Sequence, residues 1–537
     1  MMKKAIKKLM AALLAVAMVC AMAIPAFAYD TEEDLGKNHC YDVFQIFKGD
    51  VSKDNKISNV TWGQNIPDDK GFLAKLSADS TLSSKFANAD SLQKVLDVMK
   101  DWTTSDDDSI AFARFVCNYI YTDSNANRVP VKTGHTNGFE IEEPGYYLIV
   151  DTSPFSSDAN ADSYHAYNSF LLKVNQKNHH VQITPKVVKP TVEKEVYDNN
   201  DIGSTGENNG WGSSADHAIN EEFKFRLIAT LPESENNGRA YDYYNEYAVL
   251  FNDTLSNGIT YDRLDSVVIK SKGISYDIPK DSSKYEVDDS HLKNDNSFVV
   301  RIPDVKTCVE DPRFNLNDGA TITVTYTAHL NENAAVNGSA ENKNSVRLQY
   351  SNNPRPDGEY WGYTPTPESE VYVYTYQLNN TKLAENEHGA PLKDVGFRLY
   401  SDADYKNEVE LYQDGNFYYP IKNAIGKTAV EMKSAEDGTF NVKGLDAGTY
   451  YLKETTTPDD FTPCSVIPPV TITANHNGNH VEFDSSKLST TIINKKAGGI
   501  TLPSTGGIGT TLFYVIGGGL MVAAAVLLIT KKRMENK

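Results

Sequence analysis

The region that follows the N-terminal apolar stretch mixes two hydrophobic patterns. Residues 41–47 and 146–151 are apolar runs of strand length, whereas residues 91–102 and 110–121 repeat apolar positions at helical spacing. The mixture predicts an α+β domain over residues 29–189.

From residue 190 to residue 370 the pattern changes to one strand after another. Apolar runs of strand length alternate with turns rich in Asn, Gly and Asp. The clearest runs are 223–229, 297–302, 321–328 and 345–350. Because no convincing helix interrupts them, they predict a β-sandwich.

A proline-rich stretch at 352–370 precedes a further all-strand region and is typical of a stiff linker. Its prolines are Pro354, Pro356, Pro365 and Pro367. Residues 371–496 again read as strands, with turn signals at 389–391 and 437–438. The predicted fold class is therefore mainly β, with tandem immunoglobulin-like sandwiches after an α+β N-terminal domain.

Apolar stretches also mark the two ends of the chain. Four lysines precede an apolar run and an Ala-Phe-Ala sequence that ends at Ala28, which predicts a secretory signal at residues 1–28 and a mature chain that begins at Tyr29. Residues 508–529 form a second apolar run, long enough to cross a bilayer. Three cations follow this run, Lys531, Lys532 and Arg533. Positive charges at the end of a membrane span are typical of its cytoplasmic side.

The composition is strongly acidic, with a formal net charge of −20 over 537 residues. Loss of the four leader cations, and of a net three positive charges after Thr505, would make the charge −27. An exterior this acidic argues against nucleic-acid binding. The cysteines are too few for a disulfide scaffold, although Cys40 and Cys117 could pair within the first domain. No Cys/His spacing indicates a metal site, and no cofactor is expected.

The most specific signal stands just before the C-terminal apolar run. It consists of Leu502, Pro503, Ser504, Thr505 and Gly506. With the apolar run and the cations, it resembles the LPXTG sorting signal of Gram-positive surface proteins. The resemblance implies that a sortase cuts between Thr505 and Gly506 and passes the Thr505 carbonyl to an amine. It also implies that residues 497–537 are a tether, the signal, a transmembrane segment and a basic tail.

Three stretches of residues 371–496 resemble the Cna B-type domains of Gram-positive adhesins, which have a prealbumin-like fold. They are Asn-Thr-Lys at 380–382, Tyr-Tyr-Leu-Lys-Glu-Thr at 450–455 and Thr-Ile-Ile-Asn-Lys-Lys at 491–496. The resemblance implies a spontaneous isopeptide bond between Lys382 and Asn494, promoted by Glu454.

Such a bond needs an amine, an amide and an acid in an apolar site. A lysine attacks an amide only as the neutral amine, so burial must lower its pKa from about 10.4. Burial also favours the protonated form of a neighbouring carboxyl group, which can then polarise the amide carbonyl and relay protons as ammonia leaves. Packing would then replace an enzyme.

Residues 190–370 contain a similar set of a lysine, an asparagine and an acid. Pro-Thr-Val-Glu-Lys at 190–194 resembles the first strand of the Cna A-type domains of pilins, and residues 342–354 resemble their last strand. The resemblance implies a bond between Lys194 and Asn344, with Asp253 as the acid. The alternatives that the sequence leaves open are Asn342 for the amide and Asp242 or Glu246 for the acid.

The first domain contains a candidate for the amine that the sorting signal requires. Its beginning, at 41–50 and 62–63, resembles a backbone pilin, and Val-Gln-Ile-Thr-Pro-Lys at 181–186 resembles the pilin motif. In such pilins this lysine attacks the acyl-enzyme of a neighbouring subunit, which implies that Lys186 is the intersubunit lysine. The motif departs from its commoner form at Thr184 and Val187, so Lys189 stays open.

Taken together, the resemblances imply a major pilin of the SpaA type, a structural subunit rather than an enzyme. A pilin-type sortase would polymerise it head to tail, and a housekeeping sortase would attach the polymer to peptidoglycan for adhesion and colonisation. Minor pilins and host surface ligands are further partners of such a fibre. The rival interpretation is a wall-anchored adhesin or minor pilin that does not polymerise, and a hydrolase is disfavoured because no set of nucleophile, base and oxyanion donors is visible.

Overall fold

The computed structural model describes most of the chain between residues 40 and 497. The described ranges are 40–51, 53, 57–103, 106–135, 138–152, 169–181, 183, 190–198, 210–234, 239–281, 283–338, 342–352, 355, 366–497, 520–522, 524–529 and 531–532. Between residues 40 and 497 the described α-helices all lie in the first domain, and the rest is mainly β, as predicted.

The described residues of the first domain form a main sheet, a short strand pair and four helices. Its strands are β1 (Cys40–Val51), β2 (Ile57–Trp62), β3 (Lys132–His135), β4 (Phe139–Ile141), β5 (Gly145–Asp151), β6 (Ser169–Val174) and β7 (His179–Val181). Its helices are α1 (Asp69–Ala78), α2 (Ser83–Phe86), α3 (Leu92–Met99) and α4 (Asp107–Thr122). The main sheet runs β2-β1-β5-β6 with β3 also on β1, and β4 pairs with β7. The strands predicted at 41–47 and 146–151 and the helices predicted at 91–102 and 110–121 are confirmed.

Helix α4 forms the centre of the first core. Phe112, Val116 and Ile120 follow at helical spacing and are fully buried, because this face of the helix packs against the sheet. Cys117 lies on the same helix and is buried, whereas Cys40 lies at the start of β1 and is half-buried.

The second domain is a sandwich of two sheets, each with six strands among the residues that the structure describes. Its strands are β8 (Thr191–Tyr197), β9 (Trp211–Gly212), β10 (Ser214–Asp216), β11 (Glu222–Leu231), β12 (Val249–Leu255), β13 (Ile259–Ser271), β14 (Ile274–Asp277), β15 (Glu286–Asp288), β16 (Ser297–Ile302), β17 (Ala320–Leu330), β18 (Asn342–Tyr350) and β19 (Ser369–Tyr374). One sheet runs β10-β19-β18-β12-β16-β15 and the other runs β14-β13-β17-β11-β8-β9.

Alternating side chains decide which face of each sheet is buried. In β11, Phe225, Leu227 and Ala229 are fully buried, whereas the intervening Arg226 is partly exposed. Successive side chains of a strand point to opposite faces, so this alternation directs every second residue into the core. Strand β17 alternates in the same way, which places Tyr326 between the two sheets.

The third domain is a second sandwich. Its strands are β20 (Tyr376–Ala384), β21 (Gly396–Tyr400), β22 (Glu408–Val409), β23 (Leu411–Asp414), β24 (Phe417–Pro420), β25 (Met432–Lys433), β26 (Asn441–Leu445), β27 (Gly448–Thr456), β28 (Phe461–Thr462), β29 (Val470–Ile472), β30 (Ala474–Asn477), β31 (His480–Phe483) and β32 (Ser489–Lys496). One sheet runs β23-β24-β26-β20-β32-β28, and the facing sheet runs β22-β21-β27-β29 with β25 on β21. Strands β30 and β31 form a separate hairpin.

The two sandwiches meet at Thr375 rather than at the predicted boundary between residues 370 and 371. Strand β19 pairs with β18 and with β10, because Val371 and Val373 complete the apolar core of the second domain. Strand β20 then begins at Tyr376 in the third domain. The proline-rich stretch therefore precedes a strand of the second domain and does not separate the two domains.

Close backbone contacts join the two domains. The amide N–H of Ile219 donates to the carbonyl of Gly444 at 3.0 Å, and Asn220 Nδ2 donates to the carbonyl of Pro420 at 2.8 Å. Gly444 has φ +87°, and a Cβ there would lie 2.5 Å from Cγ1 of Ile219. Both the conformation and the close approach therefore require glycine at this position.

We expect Gly444→Ala to weaken the third domain and its junction. Gly415→Ala is a matched control, because Gly415 has φ +57° and open space where its Cβ would lie. Gly444→Ala should lower the free energy of unfolding by about 1–3 kcal/mol more than Gly415→Ala, since only the first adds a steric clash. Denaturant titration measures both, and equal losses would contradict the contact.

Candidate functional site

The amine of Lys194 is fully enclosed between the sheets of the second domain. Lys194 in β8 and Tyr326 in β17 come from one sheet, and Asp253 in β12 and Asn344 in β18 come from the other. The side chains of Lys194 and Asp253 are 0% exposed, and Asn344 is also 0% exposed. The first strand of the domain is thereby placed opposite two strands of the facing sheet.

The hydroxyl of Tyr326 connects the three polar groups. Lys194 Nζ donates to Asp253 Oδ2 and, at 3.2 Å, to the Tyr326 hydroxyl. That hydroxyl donates to Asp253 Oδ1 at 3.1 Å and accepts from Asn344 Nδ2 at 2.5 Å. Asn344 Oδ1 is buried without a hydrogen-bond partner among the described residues.

Burial shifts the protonation of this site toward uncharged groups. Desolvation lowers the pKa of Lys194 to about 8, although the neighbouring Asp253 carboxylate opposes the shift. Desolvation likewise raises the pKa of Asp253, with Lys194 opposing it. The low dielectric of the interior disfavours both charges, so burial shifts this pair toward a neutral amine and a neutral acid.

The third domain contains a second buried lysine with the same kinds of partner. Lys382 in β20 and Asn494 in β32 lie on adjacent parallel strands, and Glu454 projects from β27 of the facing sheet. Lys382 Nζ donates to Asn494 Oδ1 and, at 3.2 Å, to Glu454 Oε2. Asn494 Nδ2 donates to Glu454 Oε1 at 2.6 Å. Burial lowers the pKa of Lys382, whose side chain is 0% exposed.

Neighbouring groups fix the orientation of the acid and keep both sites apolar. Glu454 accepts from the Thr457 hydroxyl at 2.7 Å and from the Cys464 amide at 3.3 Å. An aromatic ring lies beside each amine, with Phe397 5.8 Å from Lys382 Nζ and Phe225 5.3 Å from Lys194 Nζ. The two sites therefore have the same design in different sandwiches.

The arrangement suits transamidation, in which the asparagine acyl group moves from its own nitrogen to the lysine nitrogen. Attack of Nζ on the asparagine Cγ forms a C–N bond, breaks the Cγ–Nδ2 bond and releases ammonia once a proton moves from Nζ to Nδ2. Glu454 touches both of these nitrogens in the third domain. In the second domain Asp253 reaches Asn344 Nδ2 only through the Tyr326 hydroxyl. An acid that contacts donor and acceptor is positioned for general acid–base catalysis.

The alternative residues named from the sequence have other contacts. Asn342 bonds the backbone of Ala335 and of Val373. Asp242 accepts from Arg239 and from Asn317, and Glu246 is exposed. The carboxylate and the amide that the structure brings toward Lys194 are thus those of Asp253 and Asn344.

Sequence reasoning missed Tyr326. The alternation of β17 was sufficient to place its ring in the core, because the strand is apolar at every second position. Nothing local indicated that its hydroxyl meets Lys194, since the two residues lie on different strands of a sheet whose order is not encoded by spacing.

Several predicted positions lie outside the described residues. They are the signal cleavage position at Ala28 and Tyr29, the two lysines Lys186 and Lys189, and the sorting pentapeptide at 502–506. Much of the expected membrane segment, residues 508–519, also lies outside. Across the parts of the chain that the structure describes, no helix is both long and apolar enough to span a membrane.

Two family models match the C-terminal part of the chain. Residues 377–487 match the SpaA prealbumin-like fold domain, and residues 494–536 match the LPXTG cell wall anchor motif. A comparison with curated proteins finds no match.

Solved structures of pilins are similar to this chain at low sequence identity. The T6 backbone pilin of serotype M6 Streptococcus pyogenes is 15% identical, with 87% of this chain and 97% of that chain covered at a TM-score of 0.47. The full-length major pilin SpaD of Corynebacterium diphtheriae is 16% identical, with 89% and 94% covered at 0.41. A 35 kDa C-terminal fragment of the Streptococcus agalactiae major pilin GBS80 is 21% identical, with 57% and 99% covered at 0.40.

The family matches cover the residues that carried the two most specific resemblances. Lys382 and Glu454 fall within the SpaA match, and Asn494 is the first residue of the anchor match. The prealbumin-like domain and the LPXTG anchor motif expected from the sequence are confirmed for this part of the chain. The protein therefore contains a SpaA-type prealbumin-like domain followed by an LPXTG cell wall anchor motif, which makes it a wall-anchored surface protein.

Proposed function

We propose that the protein is the major pilin of a covalent pilus that a pilin-type sortase polymerises and a housekeeping sortase attaches to peptidoglycan. The observation that carries the proposal is the presence of a buried lysine, acid and asparagine in each sandwich. A subunit joined to its neighbours by covalent bonds needs domains that resist tension, and internal cross-links supply that resistance. Adhesion and colonisation, through minor pilins or host ligands, are the purpose we assign to the fibre.

Each sandwich forms one intramolecular isopeptide bond in this proposal. Lys194 joins Asn344 with Asp253 as the promoting acid, and Lys382 joins Asn494 with Glu454 in that role. The contacts that support the assignment are those of Asp253 with Lys194 and of Glu454 with both Lys382 and Asn494. Once the bond forms, the lysine nitrogen is part of a neutral amide, so the cost of burying a charge disappears.

The bonds also define a path for tension. In a polymer joined from Thr505 of one subunit to Lys186 of the next, residues 29–185 lie outside that path. Each bond then lets force pass from the first strand of a sandwich to a strand close to its end, so the chain between the bonded residues stays folded.

Between the two isopeptide bonds, from Asn344 to Lys382, the tension path has no covalent cross-link and depends on hydrogen bonds. After Asn344 the chain continues through β18 and the proline-rich stretch to β19, which returns beside Asn344 with Val371 as its register partner. Tension therefore passes to the third domain either along the covalent chain between Asn344 and β19 or through the hydrogen bonds that pair β18 with β19. We therefore place the mechanically weakest part of the subunit between the two sandwiches.

Intact mass tests the two internal bonds. The measured mass of the purified chain should be lower than the mass calculated from its sequence by one ammonia per bond. Lys194→Ala and Lys382→Ala should each reduce this mass deficit by one ammonia. Lys306→Ala is a matched control, because burial also lowers the pKa of this lysine, but its Nζ donates to the Tyr244 carbonyl. A wild-type mass equal to the sequence mass, or a deficit that survives both substitutions, would contradict the bonds.

The relay through Tyr326 has a separate test. In a Lys382→Ala background, Tyr326→Phe should slow formation of the second-domain bond by about 100-fold, a typical loss when a proton relay is removed. Tyr247→Phe makes the same chemical change at a buried hydroxyl that has no hydrogen-bond partner among the described residues, so it should leave the rate unchanged. Mass spectrometry during refolding measures the rate, and equal rates for the two variants would eliminate the relay.

Polymerisation is tested on cells that express the matching sortase. The wild-type protein should give a ladder of multimers that resist SDS, and Lys186→Ala should abolish it while Lys189→Ala leaves it intact. The reverse result would move the linkage to Lys189. A wild-type protein without a ladder would favour the adhesin or minor pilin that is displayed without polymerising.

A further inference from the structure

Three potential metal ligands converge where the second domain meets the third. Asp198 follows β8, Asp216 ends β10, and His476 lies in β30 of the hairpin that the third domain extends over the junction. One ligand atom from each residue lies within 4.8 Å of the other two. Their side chains are 1%, 0% and 8% exposed, respectively. The cluster is therefore buried and is shared by two domains.

Hydrogen bonds of Ser214 place a proton on Nδ1 of His476. The Ser214 hydroxyl donates its single proton to the carbonyl of Gly478 at 2.7 Å. The same oxygen lies 2.7 Å from His476 Nδ1, so it accepts there and Nδ1 carries the ring proton. A neutral imidazole then directs the lone pair of Nε2 toward the two carboxylates.

This orientation brings acceptors together. His476 Nε2 lies 2.9 Å from Asp216 Oδ1 and 3.9 Å from Asp198 Oδ2. Either a proton or a metal cation must therefore lie between Nε2 and the carboxylate oxygens. A proton on Nε2 would serve only the contact with Asp216, whereas a divalent ion would bind both carboxylates and the imidazole at once.

The spacing fits a small tetrahedral ion. Zinc binds imidazole nitrogen and carboxylate oxygen at about 2.0–2.2 Å, which places tetrahedral ligand atoms about 3.4 Å apart. The observed separations of 2.9 and 3.9 Å lie on either side of that value. Small side-chain movements would therefore close the site around the ion.

Backbone groups hold the aspartates in place. Asp216 Oδ2 accepts from the Ala447 amide of the third domain at 2.8 Å, which leaves Oδ1 directed at His476. Asp198 Oδ2 accepts from the Asp216 amide at 3.1 Å. The nearby His217 is not part of the set, because its Nε2 donates to the Tyr197 carbonyl. Outer contacts that fix ligand orientation are typical of metal sites.

We propose that Asp198, Asp216 and His476 bind one Zn²⁺ ion that fastens the second domain to the third. Mixed nitrogen and oxygen ligands suit zinc better than calcium or magnesium, which prefer oxygen alone. Three protein ligands would leave the fourth tetrahedral position to water. The ion would reinforce the junction between the two domains, which neither internal bond spans. Asp216 lies at this junction, because it pairs with Tyr374, the last residue of β19. The site does not depend on polymerisation or on the internal bonds.

Calorimetric titration of the metal-free, purified chain with zinc chloride tests the site. The wild type should bind one equivalent that His476→Ala and Asp216→Asn both lose. Ser214→Ala should retain the stoichiometry and weaken the affinity by about 10-fold to 100-fold, the usual effect of removing an outer partner of a ligand. His388→Ala removes an exposed histidine of the same domain and should bind as the wild type does.

Thermal unfolding separates loss of the site from loss of the fold. Zinc should raise the unfolding temperature of the wild type and of His388→Ala, but not that of His476→Ala, while the variants remain folded without zinc. The proposal is overturned if the wild type binds no zinc, if His476→Ala and Asp216→Asn bind the same equivalent as the wild type, or if the site takes calcium or magnesium in preference.

Discussion

The structure depends on a lysine amine that each sandwich buries completely beside an acid and an asparagine. An ion pair removed from water is weak evidence for stability, because its desolvation offsets much of its attraction. A covalent amide has no such cost. A lysine that reacts in the core explains why facing sheets enclose it and why an aromatic ring lies beside it. It also explains the directions of the pKa shifts.

Cross-links at these positions explain how a long extracellular chain with few cysteines could remain folded. Closing the loop between Lys194 and Asn344, or that between Lys382 and Asn494, would add about 5 kcal/mol to the free energy of unfolding by analogy with disulfides, chiefly by restricting the unfolded chain. The same cross-links leave the junction at Thr375 to ordinary contacts, among them the close approach of Ile219 to Gly444. A buried cluster of His476 with two aspartates lies at this point, where non-covalent reinforcement would matter most.

The sequence predicted more of the fold than of the contacts. Alternation and helical spacing located the main strands and helices, and short motifs indicated the third domain, because these signals are local. Strand β19 was missed since prolines suggested a linker and its partners β10 and β18 are distant in sequence. Tyr326 was missed for a similar reason, as its role depends on which strands face each other across the core. The cluster of Asp198, Asp216 and His476 was invisible to spacing because it is assembled from two domains.

Pulling a single molecule from the end of the first domain and from Thr505 measures whether the internal bonds bear load. Neither sandwich should unravel between its bonded residues below the rupture force of a covalent bond, so that extension arises only between Asn344 and Lys382 and at the ends. Release of the chain between Lys194 and Asn344, about 150 residues and on the order of 500 Å when extended, would contradict it.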